Sequence, residues 1–171
     1  MSIEIVIARL LHVVLGVFWA GTMIFTALFL VPAMAEAGPD AAKVMAGIQR
    51  RRFMDVMPVV ALVTIVSGLW LFWRISGGFD PAWSRSRMGM AYGIGAVLAL
   101  VAFGIGVGIM RPTMMRIGSI VGQAAQATDS AQRDTLMAPV PALRRRSASA
   151  GRAVALLLAL ATALMGIARY L

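Results

Sequence analysis

Long apolar runs alternate with shorter polar segments along this chain. Four stretches contain no Asp, Glu, Lys or Arg at all, and they are residues 10–35, 56–73, 88–110 and 153–168. Each approaches or exceeds the roughly 17–25 residues with which a helix crosses a bilayer. The pattern therefore predicts an all-α fold, an integral membrane four-helix bundle in a single domain. The predicted spans lie at about 8–34, 56–75, 88–111 and 152–170.

The segment between the third and fourth spans is too long for a bare connection in a compact domain. Apolar positions continue at helical spacing beyond Pro112 and predict a helix to about residue 127. Asp129-Ser130 then predicts a turn, after which the chain leads back toward the fourth span. Residues 112–150 are therefore predicted to form an extended helical hairpin on the cytoplasmic side.

The first span contains one feature of a cleavable leader. Ala33-Met34-Ala35 resembles a signal-peptidase site. The apolar run before it is longer than the usual core of about 7–15 residues, and the acidic Glu4 precedes that run. We therefore expect this segment to be retained as the first span.

Composition and charge fit the same class of protein. The chain is 60% hydrophobic and 13% charged, whereas soluble domains have about 45–50% and 25%. The net charge of +9 would suggest nucleic acid for a soluble protein. However, eleven of the 16 basic residues lie in the two segments that follow the first and third spans. The positive-inside rule then predicts a multi-pass protein of the bacterial inner (plasma) membrane with both termini outside. We expect its basic loops to contact anionic lipids, and we expect no nucleic-acid partner.

Few side chains remain for chemistry. The chain has no cysteine, which excludes disulfides, thiolate metal sites, iron–sulfur ligation and thiol catalysis. It has one histidine, His12, so a bis-histidine site cannot form within one chain. No residue is predicted to be catalytic.

His12 is the strongest candidate for a functional residue. It shares a helix face with Gly16, Ala20 and Met23 at steps of three and four, so we expect it to point into the bundle near the outer end of the first span. An ionisable side chain inside a membrane bundle is a functional candidate. Arg9 lies on the same face one turn earlier, and a nearby positive charge favours the neutral imidazole that ligates metal.

Other side chains are predicted at the same outer level as His12, where they could complete a haem or metal site. The candidates are Arg74, Arg169 and Tyr170 for the propionates of a haem or another anionic ligand, and Met88, Met90 and Met165 as metal ligands. In the alternative interpretation, His12 bonds to a backbone carbonyl or to Tyr170, and the arginines extend to lipid head groups.

The 13 methionines also suggest copper, because thioethers suit Cu(I). Several form close pairs, among them Met54/Met57 and Met114/Met115. These two pairs are expected at the cytoplasmic end, away from His12. The ordinary role of methionine in a membrane helix is flexible apolar packing, and that alternative stays open.

Small residues occupy two opposite faces of the third span. Gly93 and Gly104 lie on one face, and Gly95 and Ala102 lie on the other. Because small residues let helices approach closely in lipid, this span is predicted to lie between neighbouring helices on both faces.

The opening residues resemble a known membrane family. Arg9-Leu10-Leu11-His12, followed by Gly16 and Trp19-Ala20-Gly21, is similar to the first span of copper-resistance protein D-like proteins and the related membrane protoporphyrinogen oxidases. Arg50–Phe53, followed by Thr64 and Ser67-Gly68, resembles their second span. The resemblance implies a helix bundle linked to haem or copper. The oxidase branch also has a lysine in a later span, whereas the only lysine here is Lys43.

Two functions are thus expected from the sequence. The first is a small membrane protein that binds haem b or copper through His12, in a redox or metal-handling role, as a monomer or a homodimer. The second is a cofactor-free structural or assembly subunit that docks a larger membrane complex through its glycine-rich helices.

Overall fold

The structure, a computed structural model, describes residues 2–171, except for the side chain of Pro39. Over this range the chain consists of helices joined by short turns and contains no strand. Its helices are α1 (Ile3–Glu36), α2 (Ala41–Arg50), α3 (Phe53–Ile75), α4 (Pro81–Ser84), α5 (Arg87–Gln126), α6 (Ser130–Met137) and α7 (Val140–Ile167). Within the described residues, four helices are long and apolar enough to cross a membrane, and we refer to α1, α3, α5 and α7 as the long helices. The predicted all-α fold with four such helices is confirmed.

The long helices form a ring. The largest interfaces join α1 to α3 and α5 to α7, while smaller interfaces between α1 and α7 and between α3 and α5 close the ring. Every long helix contributes to one apolar core, which includes Trp19, Met23, Ala61, Ala102 and Val154. Large apolar side chains also cover the outside of the ring, where Val17 is 64% exposed and Val59 is 60% exposed. An apolar exterior of this extent fits lipid better than water.

Both α1 and α5 contain a wide turn just before a proline. Each has a π-helical stretch, Thr26–Leu30 in α1 and Gly106–Met110 in α5, and Pro32 or Pro112 follows two residues later. Proline has no N–H to donate, and its ring crowds the carbonyl four residues earlier. The wider turn accommodates that defect, so both helices continue past their prolines.

The segment between the third and fourth spans is helical on both sides of its turn. The helix α5 ends at Gln126, close to the predicted residue 127. The carboxylate of Asp129 then caps α6 by accepting a hydrogen bond of 3.2 Å from the N–H of Ala131. The helices α6 and α7 both pack against the second half of α5, and Ala124 and Val140 are buried.

Only one of the two small faces of α5 packs against another helix of the chain. A Cβ added at Gly95 would lie 3.0 Å from Cγ of Met165, and Ala102 is fully buried. By contrast, nothing lies within 4 Å of a Cβ added at Gly93 or Gly104. The prediction that α5 is enclosed on both faces is therefore wrong, because α5 occupies a corner of the ring and its second face points outward.

A tight turn joins α3 to α4. Gly77, Gly78 and Phe79 adopt left-handed backbone angles in succession, with φ values of 65°, 86° and 66°. Glycine tolerates these angles without strain, because it has no Cβ. The hydroxyl of Ser76 accepts a hydrogen bond of 2.8 Å from the N–H of Phe79, and the Phe79 ring lies 5.9 Å from that of Phe72. Aromatic residues are thereby gathered at this end of α3.

Candidate functional site

The side chain of His12 lies in the interface between α1 and α3. Its Nδ1 atom is 2.8 Å from the carbonyl oxygen of Thr64. A carbonyl oxygen can only accept a hydrogen bond, so this contact places a proton on Nδ1. In the neutral form of the imidazole, Nε2 then carries the lone pair. The prediction that His12 faces another helix, and the alternative that it bonds to a backbone carbonyl, are both confirmed.

Small residues on both helices make room for the imidazole. A Cβ added at Gly68 of α3 would lie 2.5 Å from Cε1 and 2.8 Å from Nδ1 of His12. One turn along α1, a Cβ added at Gly16 would lie 3.4 Å from Cγ2 of Thr64. Because neither glycine carries a side chain, the two backbones approach closely enough for the hydrogen bond to form.

The hydroxyl groups next to His12 are satisfied within α3. Thr64 donates through Oγ1 to the carbonyl of Val60 at 2.9 Å. Ser67 donates through Oγ to the carbonyl of Val63 at 2.7 Å and to that of Thr64 at 3.1 Å. The Thr64 carbonyl therefore accepts from both Ser67 and His12, and these bonds hold the carbonyl and the imidazole in a defined arrangement.

His12 lies deeper along the helices than the sequence predicted. Its partner Thr64 is the twelfth of the 23 residues of α3. With a rise of 1.5 Å per residue, it lies about 16 Å from the end of that helix at Ile75. The imidazole is therefore opposite the middle of α3 and not near the end of α3 at Ile75.

Arg74 and Arg9 of the predicted cofactor site are both exposed. The guanidinium of Arg74 lies 5.7 Å from the centre of the Trp70 ring and 5.9 Å from that of Trp73. Arg9 is also exposed, although the sequence placed it on the same face as His12. In the part of the chain that the structure describes, no hydrogen bond joins His12 to either arginine. These cations are placed to reach a polar surface rather than the imidazole.

Arg169 and Tyr170 form a pair with each other. Both are exposed in the turn Ala168–Tyr170, and the guanidinium lies 4.6 Å from the centre of the Tyr170 ring. Nη2 of Arg169 also donates to the hydroxyl oxygen of Tyr170. No hydrogen bond in residues 2–171 connects this pair to His12.

The three methionines predicted as ligands have different surroundings. Met165 packs against Gly95 between α5 and α7. Met90 is 49% exposed, whereas Met88 is half-buried. Among the described residues, no group of three or more His, Cys, Asp or Glu side chains is placed to hold a metal ion. Among these residue types, one chain therefore offers a single imidazole, that of His12.

That imidazole fits the role of one metal ligand. In metal sites, a carbonyl that accepts from one ring nitrogen fixes the orientation and the tautomer that leave the other nitrogen free to bind. The Nδ1 contact of His12 has this form. Haem iron or copper could therefore take one ligand, Nε2 of His12, from each chain.

The chain matches no protein-family model, no curated protein and no solved structure. The resemblance to copper-resistance protein D-like proteins stays a prediction. The fold defines the class: within the described residues, this is an all-helical protein with four helices that are long and apolar enough to span a membrane.

Proposed function

We propose that the protein is a small multi-pass membrane protein that binds haem b or copper through His12, in a redox or metal-handling role. The observation that supports the proposal is the hydrogen bond from Nδ1 to the Thr64 carbonyl, which leaves Nε2 free. Either group would supply one-electron chemistry when bound. The chain itself fixes the imidazole, holds its proton on Nδ1 and surrounds it with apolar helices.

The proposal needs only one ligand from each chain. Met165 packs against Gly95 and Met90 is exposed, so we infer that neither supplies a second ligand. The remaining possibilities are Met88 of the same chain, a five-coordinate haem, and a homodimer in which His12 of a second copy completes the site.

Replacing His12 tests this proposal directly. We expect the wild-type protein, purified from cells supplied with haem and copper, to show a Soret band or bound copper. His12→Ala should lower the haem or copper content by at least about tenfold, because losing even a supporting group of a metal site weakens binding by about that much. The variant should stay folded, because a cavity of imidazole size costs only a few kcal/mol. Absorption spectra and metal analysis provide the measurement.

His12→Gln is the matched control. Its side-chain amide can still donate a hydrogen bond to the Thr64 carbonyl, but it is a poor ligand. We expect this variant to melt closer to wild type than His12→Ala while binding equally little cofactor. A wild-type protein with neither haem nor copper would overturn the proposal.

The second candidate is a cofactor-free assembly subunit. The observation that favours it is the outward face of α5, where Gly93, Gly104 and Gly108 meet nothing within 4 Å. Small residues on an exposed face allow another membrane helix to approach closely. Wild-type protein without a cofactor in the preceding experiment would favour this candidate.

We also propose that both termini lie outside a bacterial inner membrane and that the basic segments contact anionic lipids in the cytoplasm. The unequal distribution of Lys and Arg supports this orientation. Since the chain has no cysteine, Ala82→Cys and Ser130→Cys each give one thiol, and both positions are exposed. We expect an impermeant maleimide to label Ala82→Cys in intact spheroplasts, and Ser130→Cys only after lysis. The opposite pattern would reverse the orientation.

A further inference from the structure

A second group of possible metal ligands surrounds a cavity at a different place in the ring. The cavity has a volume of about 80 Å³ and lies between α1, α3 and α5, with Val154 of α7 also on its wall. Five methionines line it, and they are Met23, Met54, Met57, Met110 and Met114. Three helices therefore bring together methionines that are far apart in the sequence.

The remaining wall of this methionine-lined cavity is almost entirely apolar. Its other side chains include Trp19, Phe53 and Phe103, and the only charged one is Arg111. Met23 and Met57 are both 7% exposed, so part of the thioether lining is shielded from the surroundings. Among the lining side chains, the soft donor atoms are consequently the thioether sulfurs of the five methionines.

The charged pair Asp55 and Arg111 lies beside this cavity. Nη2 of Arg111 is 3.4 Å from Oδ1 of Asp55, and the two side chains are 44% and 64% exposed, respectively. Asp55 directly follows Met54, which lines the cavity. The Asp55 carboxylate balances the charge of Arg111, the one charged side chain on the cavity wall, so Arg111 repels a bound cation less.

Size and chemistry together select the ligand class. An enclosed apolar cavity of about 150 Å³ accepts benzene, and the volume of about 80 Å³ here is ample for a single ion. Thioethers are soft ligands that select Cu(I) among the biological metals. We propose that the methionine-lined cavity binds one soft monovalent metal ion, Cu(I) or its analogue Ag(I), independently of His12.

Silver titration tests this site with a redox-stable probe. We expect purified protein in chloride-free detergent solution to bind one Ag(I) ion saturably, as measured by calorimetry. Met57→Leu and Met114→Leu should each weaken binding by about tenfold or more, the size of effect expected when a metal site loses a supporting group. Methionine and leucine have similar volumes, so both variants should remain folded.

Met115→Leu is the matched control, because Met115 follows Met114 directly but is 61% exposed and is not on the cavity wall. We expect this variant to bind Ag(I) as the wild type does. His12→Ala should also bind normally, which separates this site from the one proposed at His12. In protein with ¹³C-labelled methionine methyl groups, Ag(I) should shift the Met57 and Met114 resonances and not that of Met115. The absence of saturable binding, or equal losses in the Met114 and Met115 variants, would show that these methionines only pack.

Discussion

Gly89→Ala is expected to destabilise the protein strongly. An added Cβ would overlap the carbonyl oxygen of Trp83 and lie 2.9 Å from Cα of Ser84. These are backbone atoms of α4, and Ser86 fixes the turn between α4 and α5 by accepting a hydrogen bond of 3.1 Å from the N–H of Gly89. Because no flexible side chain can move aside, we expect a loss of about 3 kcal/mol. The corresponding fall in melting temperature in detergent is roughly 6–12 °C.

Gly93→Ala is the control for this change. Gly93 lies one turn later on α5, and nothing is within 4 Å of a Cβ added there. We expect its melting temperature to be unchanged or slightly raised, because alanine favours a helix over glycine by about 1 kcal/mol. Equal melting temperatures for the two variants would contradict the close approach of the Trp83–Ser84 backbone to Gly89.

Gly68→Ala is expected to displace His12 from the Thr64 carbonyl. The added Cβ would lie 2.5 Å from Cε1 of the imidazole. The ring must move, because the helical hydrogen bonds of α3 hold the backbone at Gly68 in place. Crowding in a packed interface costs about 1–3 kcal/mol, and the lost hydrogen bond costs about 1 kcal/mol more. If the proposed function is correct, this variant also loses haem or copper, although its ligand is still present.

A double-mutant cycle in the same protein separates the two effects. In the Gly68→Ala background, His12→Ala removes the ring that the new methyl group displaces. We therefore expect the double variant to be more stable than the sum of the two single losses predicts. Gly21→Ala on α1, where nothing lies within 4 Å, provides the neutral comparison. Additive losses would mean that the imidazole does not contact Gly68.

The sequence alone predicted the long helices, because the length of an apolar run is a local property of the chain. The second span was predicted at about 56–75, and α3 covers Phe53–Ile75. The first was predicted to end near residue 34, whereas α1 continues to Glu36 beyond Pro32. A proline indicates a possible break, but it does not reveal that the helix absorbs the defect in a wider turn.

Periodicity also placed His12 on an inward face, but it could not identify the helix that His12 meets. The acceptor Thr64 is 52 residues away. The depth of His12 in the bundle depends on the relative position of α1 and α3 along their axes. The small residues Gly16 and Gly68 determine that position, because they allow the two helices to approach closely. The sequence therefore indicated that His12 faces inward. Its hydrogen-bond partner and its position along the bundle are determined by the packing of α1 against α3.

For the methionines and for the glycines of α5, too, the sequence showed the spacing and the tertiary structure decided the contacts. Their spacing along each helix was visible in the sequence, including the pairs Met54/Met57 and Met114/Met115. Nothing local showed that both pairs contribute to one cavity, or that Gly104 points outward while Gly95 packs against Met165. Helical periodicity fixes which residues share a face, because side chains repeat every 3.6 residues. Which face meets another helix is decided only by the order of the helices around the ring, because that order depends on contacts between residues far apart in the chain.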